Sequence, residues 1–400
     1  MGGRLSDRLG PTRMFIIAIS LFGLASGVGA AAGNGAVLVS ARGIQGLGAA
    51  LLQPAVLGLI GTRFPAGPAR SRVLAVWAAV GAAGLAAGAL LGGLLTTASW
   101  RLTLLVDVPP ALLCAMAAAV WLGTVVPDTV RARPMPLLAA VLGTGTVLAL
   151  SLFLTLGGDL GWTAPATLAC VLLATILAGW FVSNEATAAN VLIEPVLRQD
   201  RSVRVGAAAA ALYMASAGSE FYVLTLLLQT ARHYSPLRAG LAFLPLAVMV
   251  TAGSVATGRA TRKVSPEAAL TAGFVVALAG LMWLTVTLRS GDYLADMLPG
   301  LLLSGFSHGV IYTATFIIGG RGMPAAHQGT AGALLTTAQY LSGALTLAVL
   351  TLLLGSGHSD AGFAIAFLFL ATAAGAGALL GIMSRGLGRM DSAVARPPSR

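Results

Sequence analysis

Four ionisable side chains inside long apolar runs of this sequence are worth weighing: Arg42, Asp107, Glu220 and His308. An ionisable group in hydrocarbon is costly and is kept where it pairs, binds an ion or passes a proton. Glu220 lies about 14 Å from the C-terminal end of the run 205–229, at 1.5 Å per residue. Tyr213, Ser216 and Glu220 follow each other at spacings of three and four, which places them on one helical face. His308 is central in the run 294–318 and shares a face with Ser304, Tyr312 and Thr315. A carboxyl group at that depth can take up and release a proton as its surroundings change. The structural alternatives are a Glu paired with a basic neighbour and a His hydrogen-bonded in a packed core. Arg42 is about 9 Å into its run, where a structural Arg would bond to backbone carbonyls. Asp107, about 8 Å in, reads as a structural or capping residue. No hydrolytic or metal-binding constellation is visible, so neither an enzyme nor a metal or other cofactor is expected.

The elements that position these residues follow from composition. Hydrophobic residues make up 57% of the 400 and charged residues 9%, with a mean hydropathy of +0.89. A soluble chain carries about 25% charged residues; this one lacks the polar surface to face water all round. The apolar runs are about 20 residues long, enough to cross a hydrocarbon core roughly 30 Å thick. Twelve are expected: 14–33, 36–60, 73–95, 102–125, 136–156, 163–183, 205–229, 238–257, 267–288, 294–318, 330–354 and 361–383. They are continuous rather than alternating, which favours helices over a barrel. The two cysteines, Cys114 and Cys170, offer no disulfide framework.

The net charge of +11 does not point to nucleic acid, because the basic residues sit in the joints between runs and form no patch with interleaved aromatics. They do orient the chain. With Met1 in the cytoplasm, 19 of the 24 Lys and Arg residues fall in cytoplasmic joints and the tail, against four in outer joints and Arg42 within a run. That bias places both termini in the cytoplasm. The longest polar joint, 184–204, divides the chain, and the tail beyond Gly386 is expected to be disordered.

Several stretches resemble a known family. GRLSDRLGPTR (3–13) is similar to a loop signature of the major facilitator superfamily, through Gly3, Asp7, Arg8 and Gly10, with Pro11 and Thr12 where basic residues are usual. LVSARGIQGLGAA (38–50) resembles the superfamily's fourth-helix motif through Arg42, Gln45, Gly46, Gly48, Ala49 and Ala50. GLAAGALLGG (84–93) resembles its antiporter motif through Gly84, Gly88, Gly92 and Gly93, with Ala89 in place of proline. The segments 100–113, 222–245 and 327–349 resemble the fourteen-helix drug/proton antiporter family. In that comparison residues 3–13 join the family's second and third helices. Two helices would precede them, and DNA upstream of the start codon is expected to encode about 60 to 80 further residues with two apolar spans.

The resemblance implies an all-α, polytopic membrane protein with two helical bundles around a central cavity. Expected boundaries are 1–134 for the rest of the first bundle and 135–184 for two additional helices. A joint at 185–204, a six-helix bundle at 205–386 and a cytoplasmic tail at 387–400 follow. It implies a plasma-membrane secondary transporter exporting lipophilic drugs or small metabolites against protons, as a monomer in the bilayer. Asp7 would then help to hold one conformation, Arg42 and Gln45 would serve coupling, and Glu220 and His308 would be proton-coupling residues in the cavity. Tyr213, Ser216, Ser304 and Tyr312 would line the substrate cavity. No G-x-x-x-x-G-K-[ST] loop is present to bind ATP. An inactive remnant, uptake under the same fold and a membrane enzyme stay open as alternatives.

Overall fold

In the computed structural model, which describes residues 5–6, 9–65, 67–123, 136–188, 191–193, 195–288, 292–323, 327–355 and 359–394, local sequence signals start the helices. Pro11, Pro68, Pro165, Pro236 and Pro266 each stand in a first turn, where the missing N–H costs nothing. Asn34, Asp200, Ser235 and Ser265 cap by accepting from the N–H three residues on. The helices are α1 (Pro11–Ala30), α2 (Gly35–Arg63), α3 (Pro68–Ala98), α4 (Leu102–Trp121), α5 (Leu137–Leu160) and α6 (Pro165–Thr187). After a short turn of helix at Pro195–Gln199 come α7 (Arg201–Ala231), α8 (Pro236–Ala260), α9 (Pro266–Thr287), α10 (Tyr293–Gly319), α11 (Gln328–Leu354) and α12 (Asp360–Val394). Eleven are long and apolar enough to cross a membrane. The remaining expected span, 73–95, lies within α3, whose side chains are described only in part.

Two expectations need correction. Helix α4 ends at Trp121, short of 125. Helix α12 runs to Val394, past the point where a disordered tail was expected. No proline stands between Gly386 and Pro397, and Leu387, Arg389, Met390 and Ala393 are good helix formers beside the weaker Gly386 and Gly388.

The second half, α7 to α12, forms one buried core from residues such as Leu224, Leu270, Phe274, Leu281, Phe363 and Phe367. Its helices pack closely through glycine. A side chain at Gly309 would strike the Val250 carbonyl, and one at Gly305 the Leu246 carbonyl, so α8 and α10 lie nearly backbone to backbone. Helices α1 and α2 pack on each other in the first half, α5 pairs with α6, and α5 also touches α11. The halves meet where α3 packs on α8 and α10, and where α2 packs on α11.

Candidate functional site

Helix α7 carries the centre of the site, and it is not a straight α-helix. At Met214–Gly218 it widens into a π-turn, with Ser216 at φ −119° and ψ −106°. The extra residue in that turn shifts the helical phase, so the expected common face of Tyr213, Ser216 and Glu220 does not form. Ser216 turns back to donate to the carbonyls of Leu212 (2.6 Å) and Tyr213 (3.2 Å), and does not line the cavity proposed for it. Ser219 donates to the Met214 carbonyl at 2.6 Å. π-Turns inside α-helices are frequent at functional sites.

Past the turn, Glu220 is 0% exposed. Ser304 Oγ on α10 donates to Glu220 Oε1 at 2.8 Å, and His308 Nε2, one turn on, lies 3.5 Å from Glu220 Oε2. The other imidazole nitrogen, Nδ1, lies 3.2 Å from the Tyr213 hydroxyl. No Lys or Arg pairs with Glu220 among the described residues. Two helices thus hold a carboxyl, an imidazole and a phenol in a row, with a serine fixing the carboxyl's other oxygen.

Beside this row is a cavity of about 560 Å³. Tyr213, His308, Tyr312, Phe221, Gln339 and Tyr340 are on its wall. Glu220 and Ser304 are not: the expectation that Ser304 contacts substrate is corrected, because its hydroxyl is spent on Glu220 behind the wall. Tyr312, on the cavity wall, is also where the two halves touch. Gln53 Nε2 on α2 donates to the Tyr312 hydroxyl at 3.3 Å. Trp77 on α3 packs on Tyr312 at 5.5 Å and edge-to-face on Phe316 at 5.2 Å between ring centres.

Arg42 and Gln45 lie in a separate cluster in the first half. Arg42 Nη1 donates to Gln45 Oε1 at 2.5 Å, and Gln45 Nε2 donates to Ser26 Oγ and, at 3.3 Å, to Asp107 Oδ2. Arg42 therefore bonds a side chain rather than backbone carbonyls. Asp107 precedes the helical segment Val108–Trp121 without making a capping bond, because its carboxylate is turned to Gln45. Of the loop signature, Gly3, Asp7 and Arg8 lie outside the described residues, while Gly10 has φ 84° just before α1. Of the antiporter motif, only Gly93 makes a close approach, to the Pro236 carbonyl; Gly84, Gly88 and Gly92 face open space.

Sequence reasoning missed Ser26, Gln53, Trp77, Gln339 and Tyr340. The signal available for Gln53 and Gln339 was a polar amide within an apolar run, whereas Gln45 was found through its motif.

Comparison with known proteins places this geometry in context. The family model described as Major Facilitator Superfamily matches residues 1–140 and 116–347. The chain is 31% identical over 356 residues to the uncharacterized MFS-type transporter EfpA of Mycobacterium tuberculosis, covering 88% of this chain and 66% of that protein. It is 34% identical over 368 residues to the cephamycin export protein CmcT of Amycolatopsis lactamdurans, covering 90% and 74%. It is 33% identical over 364 residues to the puromycin resistance protein pur8 of Streptomyces alboniger, covering 88% and 70%. The chain thus spans about two thirds to three quarters of the length of these relatives. Among solved structures, the human organic anion transporter MFSD10 superimposes with a TM-score of 0.67 at 18% identity, over 95% of this chain and 79% of that one. The proton:xylose symporter XylE does so with a TM-score of 0.61 at 15% identity, over 94% and 82%.

Proposed function

The chain belongs to the major facilitator superfamily, and from that premise we propose that it exports lipophilic organic molecules in exchange for protons. The carrying observation is Glu220, fully buried, held by Ser304 and 3.5 Å from His308, immediately behind an aromatic cavity. A mostly apolar cavity with a few polar groups suits lipophilic substrates. The named substrates of the relatives, a cephamycin and puromycin, are organic molecules moved out of the cell or resisted by it.

The mechanism follows from burial. A proton on Glu220 neutralises it, so the empty carrier can reorient with the carboxyl inside the protein; a bare carboxylate there is far costlier. Substrate entering from the cytoplasmic side finds the site after the proton has left. Rocking of one half against the other then exposes the cavity to the opposite side. Inward proton flow supplies about 2.3 kcal/mol per charge per 100 mV. In this reading the protein acts as a monomer in the plasma membrane, with both termini in the cytoplasm and no nucleotide as energy source. Asp7, Arg8 and the glycines of the two motifs serve conformational change, and Arg42 with Gln45 supports coupling from the first half.

The test is transport by the chain in proteoliposomes, with ethidium and puromycin as probes. An imposed pH gradient should drive accumulation, and Glu220→Gln, which keeps shape and hydrogen bonding without the titrating proton, should abolish it while probe exchange survives. Normal pH-driven accumulation by a folded Glu220→Gln protein would overturn the assignment. Absence of any probe movement by the unchanged chain would favour the inactive remnant.

A further inference from the structure

We propose that Tyr213 and His308 form the proton relay that connects the cavity to Glu220. The proposal rests on the reading of Glu220 as the protonation site and names its route of access. Glu220 is 0% exposed and absent from the cavity wall, so a proton cannot reach it directly from cavity water. Tyr213 and His308 are both on that wall. The imidazole is 4% exposed and its two nitrogens face opposite partners, Nδ1 to the Tyr213 hydroxyl at 3.2 Å and Nε2 to Glu220 Oε2 at 3.5 Å. Nε2 and Oε2 have no hydrogen-bond partner, and at 3.5 Å they are in contact without bonding each other, so a small closing movement is what would pass the proton between them. Ser304 occupies Oε1, which leaves Oε2 as the oxygen that changes protonation.

The steps balance. In the neutral ring with its hydrogen on Nε2, Nδ1 accepts from the Tyr213 hydroxyl. The phenol takes a proton from cavity hydronium as its own O–H passes to Nδ1. The N–H bond at Nε2 then breaks as the O–H bond at Glu220 Oε2 forms. Hydronium has become water, Glu220 has become a carboxylic acid, and the imidazole is neutral again with its hydrogen on Nδ1. When Glu220 later releases its proton, the same steps run backwards and restore the first tautomer. Because entry and release both use the one cavity, which opens to each side in turn, the ring need not flip.

The surroundings favour this route over others. From α10, Tyr312 packs edge-on against Tyr213 at 5.6 Å between ring centres. From α11, Tyr340 and Gln339 reach the same cavity. Helices α9 and α12, which pack on the far side of the π-turn, contribute buried apolar residues such as Leu281, Leu284, Phe363 and Phe367. From α8, Ser254 is turned to the Gly309 carbonyl.

The experiment needs no substrate. The purified chain in lipid nanodiscs is subjected to a pH jump, and the infrared band of a protonated carboxyl is followed in time. The band belonging to Glu220 is identified by its loss in Glu220→Gln. Tyr213→Phe and His308→Gln should each slow the response of this band about a hundred-fold or more, the low end of what a positioned proton-transfer group contributes. His308→Ala should be slow, and free imidazole entering through the cavity should restore its rate, a rescue that a merely structural role would not show. Unchanged rates in folded Tyr213→Phe and His308→Gln proteins overturn the relay while leaving Glu220 as the protonation site, as does failure of imidazole to rescue a folded His308→Ala protein. A wild-type protein with no titrating Glu220 band refutes both.

Discussion

Gln45 and Glu220 are both buried polar residues, yet their side chains answer to different demands. Gln45 is 4% exposed and ties four side chains together: it accepts from Arg42 and donates to Ser26 and Asp107. Removing it takes a donor from the buried Ser26 oxygen and an acceptor from Arg42, at a cost of about 1–3 kcal/mol. Gln45→Leu is therefore expected to lower the unfolding midpoint of the detergent-solubilised protein by several degrees, as followed by differential scanning fluorimetry. Glu220→Gln keeps an acceptor for Ser304 Oγ, so its expected stability change is under about 1 kcal/mol in the same measurement. The two measurements thereby separate what Gln45 contributes to stability from what Glu220 contributes to the proposed proton coupling. Equal destabilisation by the two substitutions would contradict that division.

Among the helices, α8 and α10 behave as one body because glycine lets their backbones touch. A methyl group at Gly309 has no room, since Val250 O and Ser254 N already occupy its place. Overpacking of this kind costs about 1–3 kcal/mol, and the strain here falls on backbone, which cannot rotate aside. Gly309→Ala should thus lower thermal stability by that amount and displace His308, one residue away. Gly84→Ala and Gly88→Ala, which face open space, should leave stability within about 0.5 kcal/mol. A result in which all three substitutions were equally tolerated would show that α8 and α10 are not held this tightly. The π-turn in α7 belongs to the same scale: it decides that Ser216 serves the helix and Glu220 serves the site.

At the scale of the molecule, two halves meet across a surface that opens and closes in the proposed cycle. Gln53 and Tyr312 join them by one hydrogen bond, and Trp77 covers Tyr312 and Phe316. These contacts join the halves, so their loss should favour a form in which α2 and α10 stand further apart. Gln53→Ala and Tyr312→Phe are expected to be non-additive, with a coupling of about 0.5–1.5 kcal/mol. Spin-label distances between α2 and α10 would report it as a change in population, and strict additivity would dissolve the link. The threading itself is testable after Cys114 and Cys170 are replaced. Gly158→Cys should react with impermeant thiol reagents on intact cells, and Ser265→Cys only after permeabilisation, because the basic cluster Arg259, Arg262 and Lys263 marks a cytoplasmic joint. Labelling of Ser265→Cys from outside would invert the orientation.

Residue order alone determined that the chain crosses a membrane many times, where most helices lie, and which side chains were worth suspecting. The reason is that helix formation in lipid is a local matter: each backbone group must bond within its own segment, so the length and polarity of a run decide its fate. Glu220 and His308 were legible for the same reason, as costly groups in apolar runs, and Tyr213 by its spacing from Glu220. Which of them meet was decided only by the fold. Gln45 and Asp107 are 62 positions apart, Glu220 and Ser304 84, and Gln53 and Tyr312 259. Their contact depends on how far each helix is rotated about its axis, and that rotation is set by neighbours, by glycine contacts and by the π-turn. A straight 3.6-residue period put Ser216 beside Glu220; one extra residue in a turn, stabilised by packing that no local pattern encodes, took it away.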